Sequence, residues 1–232
     1  MIEISGSFLS LLILKIMETL TITSNQTVAI AGQTISREHA DYLINGFKEN
    51  FPNEKPTVFI SKETLLKAAS QIDNISGIRF MYGFEAVNNG EARVLSRMLV
   101  LKPCVNIAGE AVPAAIALPE YITDNGTIID AEKSRRVLHN QTARFSRYFP
   151  NLGFDKIMRG VFISANSLFA LVELHGCVGI NFHFGYDEAI SNAPERNKPV
   201  MEAINSQGEC INFSLLSPPC PPMCGFGDIF NL

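Results

Sequence analysis

The sequence predicts an α+β protein made of two homologous helix–strand–helix–strand–strand modules packed about a pseudo-twofold axis. Three observations predict it. The segment GIRFMYGFEA at 77–86 returns as GINFHFGYDEA at 179–189. The tetrapeptide VFIS stands at 58–61 and again at 161–164, and its spacing to the glycine strand differs by one residue between the copies. Two further pairs keep the same order: FKENFP at 47–52 with FSRYFP at 145–150, and LVLKPC ending at Cys104 with LLSPPC ending at Cys220. Ordered matches of this kind point to an internal duplication.

Residues 1–33 read as a lead-in. Their apolar stretch at 8–22 is broken by Lys15 and Glu18, and its uncharged part is far short of the ~20 residues a spanning helix needs. The first charge is Glu3, whereas a secretory signal opens on basic residues. Met17 is a candidate natural start.

Module 1 covers 34–104. Its first helix is expected from Ser36, a capping residue, to Asn50, where Phe51-Pro52 stops it. VFI is a short buried strand, and Ser61 after it caps a helix carrying Leu65, Leu66, Ala69 and Ile72. On the glycine strand Ile78, Phe80, Tyr82 and Phe84 share one face by the two-residue period. The NNG at 88–90 marks a hairpin into a third strand, EARVLSRMLVLK. A connector, 105–127, carries Pro and Gly and no clear period.

Module 2 covers 128–232. Its first helix starts near Asp130 and is about one turn longer. The second carries Leu168, Leu171, Val172 and His175, and the glycine strand presents Ile180, Phe182, Phe184 and Tyr186. The hairpin connection swells into ISNAPERNKP at 190–199, and an NSQG turn at 205–208 precedes ECINFSLLS. Phe80 and Phe182 are expected in the core. The C-terminal tail is expected to pack back on the body.

With 47% hydrophobic and 18% charged residues, the chain of 232 has material for a packed core. A net charge of −4 and a pI of about 5.6 argue against a nucleic-acid surface, and no basic cluster exceeds Arg135-Arg136. No membrane span is expected. Five cysteines are too sparse for a disulfide scaffold and point to the cytoplasm, with export left open. The sequence holds no dinucleotide fingerprint, P-loop, H-E-x-x-H or G-x-S-x-G.

The leading expectation is therefore a non-enzymatic interaction or assembly protein with a protein partner or self-association. The rival is an enzyme or small-ligand binder with a pocket between the modules, and a third reading uses the C-terminal cysteines for metal or thiol chemistry.

His183 replaces Met81 at the equivalent strand position. Asp187 shares its face but lies roughly 13 Å along an extended strand, so a partner for the imidazole must come from a neighbouring strand. Arg79, His183 and Asp187 are the candidate ligand-binding residues. Cys210, Cys220 and Cys224 leave three readings open: free thiols, a Cys220–Cys224 disulfide, or a metal site. The spacing matches none of the strong zinc patterns, so neither a metal nor a cofactor is expected.

The segments GCVGINFHFG at 176–185, SGIRFMYG at 76–83 and the tail PPCPPMCG at 218–225 resemble an uncharacterised family of small bacterial proteins. Those proteins have a C-V-G-x-x-x-[FY]-[FY]-G-like strand and a Cys-Pro-rich tail. Ile75 stands where that pattern has Cys in the first copy. The resemblance implies the fold unit, here in tandem, and no activity.

Overall fold

The computed structural model describes residues 33–89, 92–107, 114–148, 159–191, 196–215 and 219–220. In chain order the elements are β1 (Gln33–Thr34), α1 (Arg37–Asn50), β2 (Thr57–Ser61), α2 (Lys62–Ala69), β3 (Gly77–Asn89), β4 (Ala92–Val105), β5 (Ala114–Ala115), β6 (Glu120–Thr123) and β7 (Ile128–Asp130). They continue with α3 (Ala131–Tyr148), β8 (Gly160–Ser164), α4 (Ala165–Val172), β9 (Cys177–His183), β10 (Val200–Asn205), β11 (Cys210–Leu215) and β12 (Pro219–Cys220). The protein is α+β, with its strands in two antiparallel sheets.

The local chemistry that starts and stops each helix works as the sequence indicates. The Ser36 hydroxyl accepts the His39 N–H at 3.2 Å and opens α1, with Glu38 in the first turn. Ala40, Leu43, Ile44 and Phe47 form its buried stripe. Its end comes at Phe51, whose N–H donates to the Phe47 carbonyl. Asp130 does the same work for α3, accepting the Lys133 N–H at 2.6 Å. With 18 residues against 14, α3 is one turn longer than α1.

Ser61 and Ser164 cap α2 and α4 with the same backbone angles, φ −66° and ψ 151°, and each of those helices has eight residues. Both end earlier than the periodicity suggests, so Ile72 and His175 lie beyond them. A left-handed residue then turns the chain toward the next strand, Asn74 (φ 55°) in one half and Gly176 (φ 78°) in the other. Gly and Asn are the residue types that enter that region most readily.

The first sheet runs β1-β11-β10-β9-β2, and the second runs β12-β8-β3-β4-β6-β7 with β5 beside β4. Each draws strands from both halves of the chain. β2 pairs with β9, placing Ser61 opposite Gly179, Ile60 opposite Ile180 and Val58 opposite Phe182. β8 pairs with β3, placing Ser164 opposite Gly77, Ile163 opposite Ile78 and Val161 opposite Phe80. The two registers are the same, residue for residue. The glycines permit it: a Cβ on Gly179 would fall 2.5 Å from the Ile60 carbonyl oxygen, and one on Gly77 would fall 2.2 Å from that of Ile163.

The correspondence extends outward. Val100 and Leu101 of β4 face Thr123 and Ile122 of β6, as Val200 and Met201 of β10 face Leu215 and Ser214 of β11. β7 then flanks β6 as β1 flanks β11. The helices follow the strands. Leu43 of α1 meets Gly185, just past β9, and Val137 of α3 meets Gly83 of β3.

The main core lies between the sheets. Phe80 and Phe182, each fully buried, stack with ring centroids 5.8 Å apart. Around them pack Ile78, Tyr82, Leu99, Leu101, Ile180, Phe184 and Met201, together with the apolar faces of α2 and α4. A second cluster of Met81, Val100, Tyr121, Ile129, Val137 and Leu138 fills the space under α3. The layers are thus α1, first sheet, second sheet, α3.

The structure adds four features to the sequence reading. β3 buries both of its faces, because α3 covers the side that carries Met81. The connector at 105–127 contains β5 and β6, and Tyr121, Ile122 and Thr123 are buried in the second sheet. The counterpart of Cys104, which faces Gly77, is Ile204, which faces Gly179; Cys220 instead faces Gly160 in β12. Strand pairing also crosses between 34–104 and 128–232, so neither segment holds a complete sheet. The lead-in before residue 33, the NNG turn residue Gly90, and the tail from 221 onward with Cys224 lie outside the described residues.

Candidate functional site

The outer face of the first sheet, beside α1, gathers the polar chemistry. On adjacent strands stand Thr57 of β2, Asn181 and His183 of β9, and Glu202 of β10. Thr57 Oγ1 lies 2.8 Å from His183 Nδ1, and His183 Nε2 lies 3.0 Å from Glu202 Oε2. Asn181 donates its amide to the same carboxylate oxygen at 2.9 Å. His183 is 8% exposed.

The His183 hydrogen bond, helped by Asn181, holds the Glu202 carboxyl below its ordinary range against the opposing effect of burial. An ionised carboxylate only accepts, so Nε2 carries a proton; in the neutral imidazole Nδ1 is then the acceptor for the Thr57 hydroxyl. The row is a hydroxyl, a base and an acid in sequence, in which a Thr57 proton can pass to the imidazole. Burial and the Glu202 charge push the Cys210 thiol up, with Arg37 opposing. Both effects favour the thiol over the thiolate.

The same positions in the second sheet differ. By register Gly160 corresponds to Thr57, Met81 to His183, Arg79 to Asn181 and Lys102 to Glu202. The fold therefore does not require the polar row, since the other sheet is built without it. Phe59 and Phe162 also correspond. Each ring lies over the facing glycine, yet Phe162 is 7% exposed beside Cys104 and Ala115 while Phe59 is 46% exposed.

The three residues marked from the sequence are not one site. His183 sits in the row above. Arg79 lies on β3 in the second sheet, 1% exposed, on the face opposite the central core. Asp187 lies past the end of β9, accepts a hydrogen bond from the Tyr42 hydroxyl at 3.0 Å and accepts the Ala189 N–H. Thr57, Glu202 and Phe59 were missed. VFIS marked the strand, but nothing local says that it pairs with β9. Among the described residues no group of three or more His, Cys, Asp and Glu is placed to hold a metal ion, and no helix is long and apolar enough to cross a membrane.

The edges of the sheets complete the picture. Among the described residues the strands paired on one side are β1 with two residues, β5 with two, β7 with three, β12 with two and β2 with five. β8, the counterpart of β2, is paired on its outer side at Gly160 and Val161 by β12, where Pro219 faces Val161 and Cys220 faces Gly160. Among the described residues β2 has one strand neighbour, β9. It carries neither charge nor proline, its register is unbroken, and Phe59 stands exposed at its centre.

No family model matches this chain, and neither the curated proteins nor the solved structures yield a match.

Proposed function

We propose that the chain is a cytoplasmic, non-enzymatic interaction module, a tandem duplicate of one fold unit, that binds by accepting an extended segment along β2. The observation that carries this reading is the contrast between two strands of identical register. The outer side of β8 is paired at Gly160 and Val161 with a segment of the chain itself, while the corresponding side of β2 has no strand among the described residues. Natural sheets blunt their edges with short strands, charges or prolines. β1, β7 and β12 are short in that way, and β2 is not. Adding a strand supplies main-chain hydrogen bonds, with alternate side chains giving selectivity. Cys177 and Cys210 form no disulfide, in keeping with a reducing compartment.

The test uses a synthetic peptide with the sequence of residues 215–222, since it contains Pro219 and Cys220, which pair with β8. Hydrogen exchange at Thr57–Ser61 should slow as peptide is added. Exchange that is already slow and becomes faster on dilution of the protein would equally support an accepting edge. Unchanged exchange under both treatments overturns the reading.

A second reading is favoured by the Thr57–His183–Glu202 row: a threonine nucleophile for acyl transfer. It ranks lower because such chemistry also needs donors aimed at an oxyanion, and none is identified among the described residues. A fluorophosphonate probe that labels Thr57, and labels it no longer in His183→Ala, would raise it to first place.

A further inference from the structure

We infer that the segment received by β2 is β2 of a second copy, so that two chains pair antiparallel across a twofold axis and their five-stranded sheets join into one of ten. This rests on the reading of β2 as an accepting edge.

The count of edges and segments leads there. Each chain carries two strands of the VFIS type, and its tail segment at Pro219–Cys220 lies on β8. The half that ends in β11 has this tail to spare. The half that ends in β6 does not, because the chain after β6 turns directly into β7 and α3. The described chain begins at β1, the far edge of the first sheet, with β11, β10 and β9 between it and β2. A tail borrowed from another copy would bare that copy's β8. Pairing β2 with β2 fills this edge on both chains at once and closes, as isologous contacts do.

The side chains suit that arrangement. Pairing centred on Phe59 sets Phe59 opposite Phe59 of the second copy, Thr57 opposite Ser61, and Val58 opposite Ile60. Aromatic pairs and hydroxyl pairs are favourable cross-strand neighbours. Val58 and Ile60, 1% and 0% exposed, already face the core, so the joined sheet keeps a continuous apolar inner side. No charged residue within β2 opposes it.

The experiment is sedimentation of the full chain across micromolar concentrations, with hydrogen exchange read on the same samples. A species of twice 25.5 kDa is expected, with slow exchange at Thr57–Ser61 that becomes fast on dilution. Phe59→Asp places two carboxylates face to face and should weaken association by roughly thirtyfold or more, as loss of a central aromatic anchor does. Circular dichroism checks that the variant is folded. Phe59→Cys gives a second reading, since mild oxidation should join two copies of this variant by a disulfide at the substituted position, identified by peptide mapping. A monomer at every concentration overturns self-pairing. If in that monomer β2 is exposed and is protected by the 215–222 peptide, the accepting edge stands and its partner is foreign. If β2 is slow to exchange at every dilution, the chain covers its own edge and the inference fails. If the peptide also has no effect on exposed β2, both readings fall.

Discussion

Phe182 is the side chain on which the two sheets meet. It is fully buried and contacts Phe80, Tyr82 and Phe184 at centroid distances of 5.8, 6.1 and 5.3 Å. Phe182→Ala should cost about 3–5 kcal/mol in urea unfolding, the range for a full aromatic core position. A loss below about 1 kcal/mol would mean that the rings around it collapse into the space.

Glu54 poses a different problem for the chain. Its carboxylate binds both Arg97 and Arg144, and the Arg97 guanidinium lies over the rings of Phe47, Phe84 and Phe184. With the Glu54 side chain 6% exposed, the three charges are held largely out of water. Glu54→Gln should destabilise by about 3–5 kcal/mol, because it removes a largely buried carboxylate charge that two guanidinium groups share. Glu202 gives a pH signature. Its folded pKa is depressed, so its contribution is present above the ordinary value of 4.5 and is lost as pH falls through the folded value. The stability gap between the wild type and Glu202→Gln should therefore shrink in acid, read from urea midpoints at neutral and acidic pH. A constant gap would mean that the carboxylate gains nothing from His183.

At the scale of elements, the paired strands depend on glycine. Gly179→Ala would drive a methyl into the Ile60 carbonyl oxygen and the Phe59 ring, and Gly77→Ala would meet Ile163 and Phe162 in the same way. The obstacle in each case includes backbone, which cannot swing aside. Each substitution should cost about 1–3 kcal/mol, as overpacking does, and the two costs should be alike because the registers are alike. Gly179→Ala should also loosen β2, seen as faster hydrogen exchange at Thr57–Ser61. A neutral result at either glycine would show that the strands slide apart cheaply.

At the scale of the whole molecule, each sheet needs both halves of the chain. Cutting in the turn after Gly126 separates β1, α1, β2, α2, β3, β4, β5 and β6 from the rest without breaking a helix or strand. Neither fragment should fold as a monomer, since β2 would lack β9 and β8 would lack β3. Mixed, they should form a one-to-one complex with the circular dichroism of the intact chain. Independent folding of either fragment as a monomer would show that the exchange of strands between halves is dispensable.

The sequence by itself determined the local units. Ser36 and Ser61 announced two helix starts, Phe51-Pro52 announced a stop, and the two-residue period of the glycine strands placed Phe80 and Phe182 in the core, because capping and periodicity act over a few residues. Only the tertiary structure decided which strands meet. Nothing near 57–61 specifies that β2 joins β9 from the other half, and nothing near 120–123 shows that an apparent connector is a buried strand. Strand pairing is selected by burial summed over the whole molecule. The Thr57–His183–Glu202 row is assembled by that selection, from residues 126 and 19 positions apart in the chain.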